Sequence, residues 1–345
     1  MARRAGPPHM RPMAGKLEGS CRGAQLLAAL PLASGCGGVQ SALAPAGPAA
    51  ERIAGLFWAS AAFFGLVWLA VVALALYAAH RRGTPLSGRN AHRLIVLAGA
   101  VFPTVVITGY LAYGLSLIPP LVAQAPEGSL RVLVAGERWW WRVRYLPPDG
   151  PGVDLANEIR LPVGEPVEFL LESPNVIHSF WIPSLGGKVD MIPGRVNRLT
   201  LVANRTGVFR GACAEYCGAS HALMNFSVVV EERAAFDRWL ASQASPARDP
   251  AGPQAARGRE VFLANGCGAC HAVRGTAADG TVGPDLTHVG GRRGIGADVL
   301  PNDPASLVRW IERTPAVKPE VHMPAYAMLP RADLEALAAY LGGLE

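Results

Sequence analysis

Twelve residues, CAEYCGASHALM from Cys213 to Met224, hold two cysteines, a histidine, a methionine and a glutamate. Thiolate, imidazole and thioether are ligands that suit copper better than magnesium, calcium or manganese. A single-copper electron-transfer site needs one cysteine, two histidines and a weak axial group, whereas this loop carries two cysteines. Four positions apart, Cys213 and Cys217 can each bridge a pair of copper ions, with His221 terminal to one ion and Met224 weakly axial. The second histidine comes from SPNVIHSFWIPSLGGKVDMIPGR, as His178. A disulfide between Cys213 and Cys217 and a zinc site compete with this reading. Neither uses Met224, so a dinuclear copper centre is expected.

A second redox motif lies near the C-terminus. ANGCGACHAVRG contains Cys267, Cys270 and His271, the C-x-x-C-H spacing that attaches haem c covalently and leaves the histidine as one axial ligand. A thioredoxin-like pair shares C-x-x-C but not the adjacent histidine, and no βαβ pattern surrounds it. A methionine opposite the histidine raises the haem potential. KPEVHMPAYAML offers Met323, followed by proline, and Met328; Met323 is favoured, and His288 and His322 rank below both.

These ligands need a scaffold, and composition says what kind. Half of the 345 residues are hydrophobic and mean hydropathy is positive, too apolar for an ordinary soluble enzyme. The apolar excess lies almost wholly before residue 120. Two runs, Ile53 to Ala79 and Leu94 to Leu117, contain no Asp, Glu, Lys or Arg and exceed the roughly 20 apolar residues that span a bilayer. His80, Arg81, Arg82, Arg89, His92 and Arg93 lie between them, and short basic loops stay cytoplasmic. A transmembrane hairpin over 50–120 with both outer ends exported follows. The net charge of +6 gathers at the N-terminus and in that loop rather than in a basic stripe with aromatics, so nucleic acid is not an expected partner.

Residues 1–36 read as a leader. Scattered basic residues precede an apolar run from Ala24 to Ala33 and then Cys36, the order of a secretory signal with a lipoprotein-type cleavage site. Ala33 stands where such a site usually has leucine, so cleavage alone and cleavage with lipidation of Cys36 both remain open. Met13 begins a tidier signal than Met1. With Cys213 and Cys217 on copper, Cys267 and Cys270 on haem, and Cys21 and Cys36 in the leader, no pair is left for a structural disulfide.

After the hairpin, short β-type runs follow one another: SLRVLVAGERWWWRVRY, NEIRLPV, PVEFLLES, RLTLVAN and FSVVVEE. Such spacing predicts a Greek-key sandwich or barrel over 125–235, with the copper loop near one end. Residues 241–255, ASQASPARDPAGPQA, lack apolar periodicity and predict a flexible linker. Helices are predicted at PQAARGREVFLAN and RADLEALAAYLGGL, on either side of the haem motif, in an all-α domain over 256–345.

Cys213, Glu215, Cys217, Gly218, His221 and Met224 form C-x-E-x-C-G-x-x-H-x-x-M. With VIHSFWIPSLGGKVDMIPGR, this resembles subunit II of haem-copper cytochrome c oxidases, and the order of hairpin and β-domain matches over most of 36–235. The resemblance implies a cupredoxin fold holding the dinuclear copper A centre, with Glu215 giving its backbone carbonyl to copper and its carboxylate to a magnesium ion at the contact with subunit I. GERWWWRVRY is similar to the family's aromatic stretch, with Arg138 where glutamine is usual, and the analogy makes Trp139 the residue through which electrons arrive. On a strand, Trp139 and Trp141 would face one way and Trp140 the other; all three as plain packing aromatics is the competing view. The haem domain is expected to be a class I cytochrome c. Implied partners are subunit I, subunit III, the membrane and an external donor, a cytochrome c or a cytochrome bc complex. The implied setting is the bacterial cytoplasmic membrane, crossed more than once, with both redox domains on the periplasmic side. A nitric oxide reductase subunit with the same copper centre and a copper-delivery protein are the alternatives.

Overall fold

Two long apolar helices, α1 (Pro48–His80) and a second of α2 (Gly88–Val96), a π-helical turn (Leu97–Val101) and α3 (Phe102–Leu121), lead the chain. The computed structural model describes residues 37–80, 86–147 and 150–345. The expected leader with Met13, Cys21 and Cys36, and Arg81 and Arg82 of the basic loop, lie outside the described residues. Both helices are long and apolar enough to cross a membrane, and their most apolar stretches are not covered by the rest of the fold. The rings of Phe64 and Tyr110 meet 5.8 Å apart between them.

The start of α1 is fixed to the domain above it. The first amides of a helix lack partners within the helix, and here a carbonyl of the β-domain supplies one: Ala50 N donates to Leu185 O at 3.2 Å, while Ala46 N, just before the helix, donates to Ser184 O at 2.6 Å. Ala46, Ala50 and Ala54 are buried there, so small residues let the helix end approach closely.

Ten strands form the β-domain: β1 (Leu130–Glu137), β2 (Trp140–Leu146), β3 (Val153–Ala156), β4 (Glu158–Pro162), β5 (Pro166–Glu172), β6 (His178–Trp181), β7 (Val189–Met191), β8 (Asn197–Val202), β9 (Gly207–Cys213) and β10 (Asn225–Glu231). They make two five-stranded sheets, ordered β3-β2-β1-β5-β8 and β4-β10-β9-β6-β7. β1 pairs parallel to β5, and β10 parallel to β4; the other pairings are antiparallel. Trp141, Phe169, Phe180 and Phe226 lie wholly buried between the sheets, with Phe180 stacked on Phe226 at 5.0 Å. Removing one such aromatic costs about 3–5 kcal/mol.

One expectation is corrected here. The run through Trp139 is not a single strand: β1 turns at Arg138 and Trp139, and β2 returns antiparallel with Glu137 opposite Trp140 and Gly136 opposite Trp141. Trp139 therefore sits at a hairpin tip, although it is buried like Trp141.

Helix α4 (Arg233–Ala244) follows β10 and α5 (Pro253–Ala264) opens the last domain. The segment expected as linker is thus helical at both ends, and only 245–252 is not. Helices α6 (Pro304–Val317) and α7 (Arg331–Gly342) complete the domain with a two-residue strand pair, β11 (Gly294–Ile295) with β12 (Leu300–Pro301). Its core holds Val261, Phe262, Leu307, Ile311, Leu337 and Leu341. Helices α5 and α7 cross so closely that a methyl group on Gly258 would lie 2.0 Å from the carbonyl oxygen of Ala336.

This contact gives a testable outcome. Gly258→Ala must push the two helices apart, an overpacking that costs roughly 1–3 kcal/mol or more. Thermal unfolding of the full chain, followed at the haem absorbance, will show a lowered midpoint for this domain alone.

Candidate metal and haem centres

Three neighbouring strands deliver the copper-type ligands. His178 opens β6, Cys213 closes β9 and Met224 immediately precedes β10. The intervening loop is tied at its base, where Cys213 N donates to Met224 O at 2.9 Å, and to β6, where Ala214 N donates to Ser179 O at 2.9 Å. The loop is held at both ends before any metal binds.

Within it the donors converge. Cys213 Sγ lies 3.8 Å from Cys217 Sγ and 3.8 Å from His178 Nδ1. Cys217 Sγ lies 3.6 Å from His221 Nδ1 and 4.0 Å from Met224 Sδ. The donor atoms of His178, Cys213 and Cys217 all fall within 4.8 Å of one another. Glu215 turns its carbonyl toward the cluster, 3.2 Å from Cys213 Sγ, and its carboxylate outward, 3.9 Å from Lys188 Nζ. The sulfur separation is far beyond a disulfide bond of about 2.05 Å, and both cysteines are free.

The two thiols behave as one unit. The hydrogen bond with Cys217, then that with His178, holds Cys213 well below the ordinary thiol range against the opposing effect of burial. The same sulfur contact and burial push Cys217 up. One thiolate forms readily beside one protonated thiol, a state that a soft cation converts to two thiolates.

Sequence reasoning did not single out Asn175. Its Oδ1 accepts from His178 Nε2 at 3.2 Å, which leaves Nδ1 directed at Cys213 and fixes the tautomer, the outer-shell support that ligating histidines ordinarily need. An Asn three residues before a ligand histidine, in SPNVIH, was the available signal. Gly136 also matters, because a methyl group there would lie 2.8 Å from the His178 ring.

The haem-type residues surround an apolar cavity in the last domain, walled in part by Cys267, Cys270, His271 and Met323. A 3₁₀ turn over Cys267–Ala269 brings His271 N to Cys267 O at 3.0 Å, so both sulfurs and the imidazole face one space. His271 Nδ1 donates to Pro284 O at 2.8 Å, which leaves Nε2 for iron. Burial, partly offset by that bond, lowers the His271 pKa and favours the neutral ligand. Met323 is on the wall and packs on the core, whereas Met328 is 76% exposed and is not part of the wall. His322 is exposed at the cavity. His288 is buried and its Nε2 meets Ser245 O at 3.0 Å, a tie to the connecting segment rather than to the cavity.

Arg138, Trp139 and Trp140 of the β-domain complete the cavity wall. Trp139 is 4% exposed, and its indole Nε1 donates to Cys217 O at 3.0 Å. One ring therefore touches both sites.

Known proteins share both halves. Residues 151–232 match the family described as "Cytochrome C oxidase subunit II, periplasmic domain", and residues 255–345 match "Cytochrome c". "Cytochrome c oxidase subunit 2" of Alkalihalophilus pseudofirmus is 40% identical over 219 residues, covering 64% of this chain and 62% of the relative. "Probable cytochrome c oxidase subunit 2" of Rickettsia bellii is 31% identical over 181 residues, covering 47% of this chain and 67% of the relative. The chain thus spans somewhat less than two thirds of the first of these. Among solved structures, the periplasmic domain of subunit II of cytochrome oxidase of Bradyrhizobium japonicum is 30% identical, covering 35% of this chain and 97% of that one, with a TM-score of 0.33.

The supporting role of Asn175 can be measured directly. Asn175→Ala frees the His178 ring, and loss of such a partner weakens metal affinity by about 10- to 100-fold. Competition with a copper chelator on the full chain will read the change, while His221, which has no such contact to Asn175, serves as the reference ligand.

Proposed function

Because this chain belongs to the cytochrome c oxidase subunit II family and carries a cytochrome c domain, we propose that it is the electron-transfer subunit of a respiratory oxidase. His178, Cys213, Cys217, His221, Met224 and the Glu215 carbonyl would hold two copper ions, and Cys267, Cys270, His271 and Met323 would hold haem c. When bound, these groups supply one-electron chemistry, from an external donor through haem and copper to subunit I, where oxygen is reduced to water. This chain carries no oxygen-reducing site among its described residues.

Its own residues do the positioning. Asn175 and Pro284 set the tautomers of His178 and His271. His178 and Met224 are fully buried, so little water need reorganise when the charge on the copper pair changes. Arg138, Trp139 and Trp140 bring the copper domain against the haem cavity. The Glu215 carboxylate points away from the sulfurs, where a magnesium ion at the subunit I contact would find it. The apolar hairpin would dock on subunit I, subunit III being a further partner, and basic residues between its helices would lie in the cytoplasm with both redox domains outside.

The observation that carries this reading is Trp139, hydrogen bonded to the carbonyl of Cys217 while lining the haem cavity. It fits the role drawn from sequence, electron entry at Trp139. Buried between the domains, Trp139 would lie on the way from a haem held in that cavity to the copper ligands, and a separate donor would meet the haem domain. The connecting segment supports a docked arrangement, since Ala247 N donates to Arg274 O at 2.8 Å and the Arg274 guanidinium reaches Gln243 O and Asp154 O.

Photoreduction of the haem in the metal-loaded chain should be followed by copper reduction at a rate independent of protein concentration and only weakly dependent on salt. Trp139→Leu should slow that step while leaving both centres bound; a rate that scales with concentration in the unaltered chain would end the intramolecular reading. Separately, Met323→Ala should abolish the near-infrared thioether-to-iron band and lower the haem potential, whereas Met328→Ala should leave both unchanged.

A further inference from the structure

Lys318 is a lysine buried to 1% exposure, and no carboxylate lies within ion-pair distance of it among the described residues. Burying a lysine without a counter-ion is costly, so its position calls for a reason. It stands just after α6, in the haem domain, and its Nζ donates to two carbonyls. One is Gly296 O of its own domain at 2.8 Å; the other is Leu223 O of the copper loop, also at 2.8 Å. Leu223 directly precedes Met224, and Lys318 opens the segment that reaches Met323. Lys318 also lines the haem cavity.

Neighbouring contacts join the same two domains. Ser220 Oγ donates to Pro319 O at 2.6 Å, Ser227 Oγ donates to Asp298 Oδ2 at 2.7 Å, and Val321 packs on the core of the β-domain. Two loops, each carrying a methionine of one centre, are thus fastened face to face.

We propose that Lys318 is a positioning residue that clamps the copper loop to the methionine-bearing loop of the haem pocket, keeping the two centres at one fixed separation. The clamp rests on the electron path given above but is separable from it. Burial pulls the Lys318 pKa down to about 7, and the amine can donate both hydrogen bonds whether or not it carries the extra proton. Each donor replaces water for a carbonyl that would otherwise be buried unsatisfied at the domain contact. A fixed separation matters because electron transfer between two buried centres slows steeply as the gap between them widens.

The test compares Lys318→Met with the unaltered, metal-loaded full chain. Loss of the two hydrogen bonds predicts hydrogen exchange faster by about tenfold or more, and it should appear in both loops together, 214–226 and 318–329. The haem-to-copper rate should fall and become dependent on solvent viscosity, while the haem and copper spectra persist. Ser220→Ala, which removes the adjacent bond without touching the lysine, should produce a smaller change in the same two segments and covers the case in which Lys318→Met does not fold. Exchange that rises only within the haem domain, or a transfer rate that stays unchanged and viscosity-independent, would overturn the clamp. An unaltered chain that passes no electron from haem to copper would sink the electron path instead, and the exchange result would still decide the clamp.

Discussion

Holding two thiol sulfurs, two imidazoles and a thioether within one buried volume is the constraint on which the rest of this protein depends. Each donor prefers water or a proton to an empty apolar pocket, so the fold must supply directed partners before a metal arrives. It does so from rigid elements. β6, β9 and β10 place His178, Cys213 and Met224, and the core of Trp141, Phe180 and Phe226 fixes those strands from beneath. The loop between Cys213 and Met224 is then short and tied at both ends, so its sulfurs lose little further freedom on binding.

The same logic governs how the two redox domains meet. Much of their contact consists of directed hydrogen bonds. Arg293 N donates to Glu158 Oε2 at 2.8 Å, Arg142 Nη2 to Thr281 O at 2.9 Å, and Lys318 to Leu223 O. Buried polar groups carry a desolvation cost that only correct pairing offsets, so such a contact tolerates few alternative alignments. An apolar interface of similar extent could slide; this one registers. Trp139 adds a large apolar group at the junction, with its polar edge spent on Cys217 O.

Membrane attachment is coupled to this arrangement through α1. In its first turn Ala50 N donates to the Leu185 carbonyl, and just before it Ala46 N donates to the Ser184 carbonyl; Leu185 is wholly buried in the β-domain core. The β-domain therefore does not hang from a loose tether. The chain carries its orientation from the long helix into the sandwich, and from the sandwich into the haem domain.

Local chemistry was legible in the sequence because ligand type and spacing are local properties. C-x-E-x-C-G-x-x-H-x-x-M, C-x-x-C-H and two uncharged apolar runs identify their own chemistry within a few residues. The alternation of the β runs and the helices flanking the haem motif were readable for the same reason. Helix α6, with Pro304 at its start and Pro315 inside it, carries a weaker local pattern and was not foreseen. Trp139 was read on a strand because an unbroken aromatic run hides a two-residue turn, and the hairpin pairing that makes the turn is a contact between β1 and β2. Residues 241–255 look like a free linker by composition, yet Arg274, a distant residue, holds part of them in place. The sequence by itself thus determined where the ligand-type and haem-attachment motifs lie and which segments are long and apolar enough to cross a membrane, since those depend on side-chain type and short-range order. Only the tertiary structure decided that Asn175 orients His178, that Trp139 lies between the centres and that Lys318 joins their loops, because each requires a satisfied hydrogen bond between atoms that chain sequence does not place side by side.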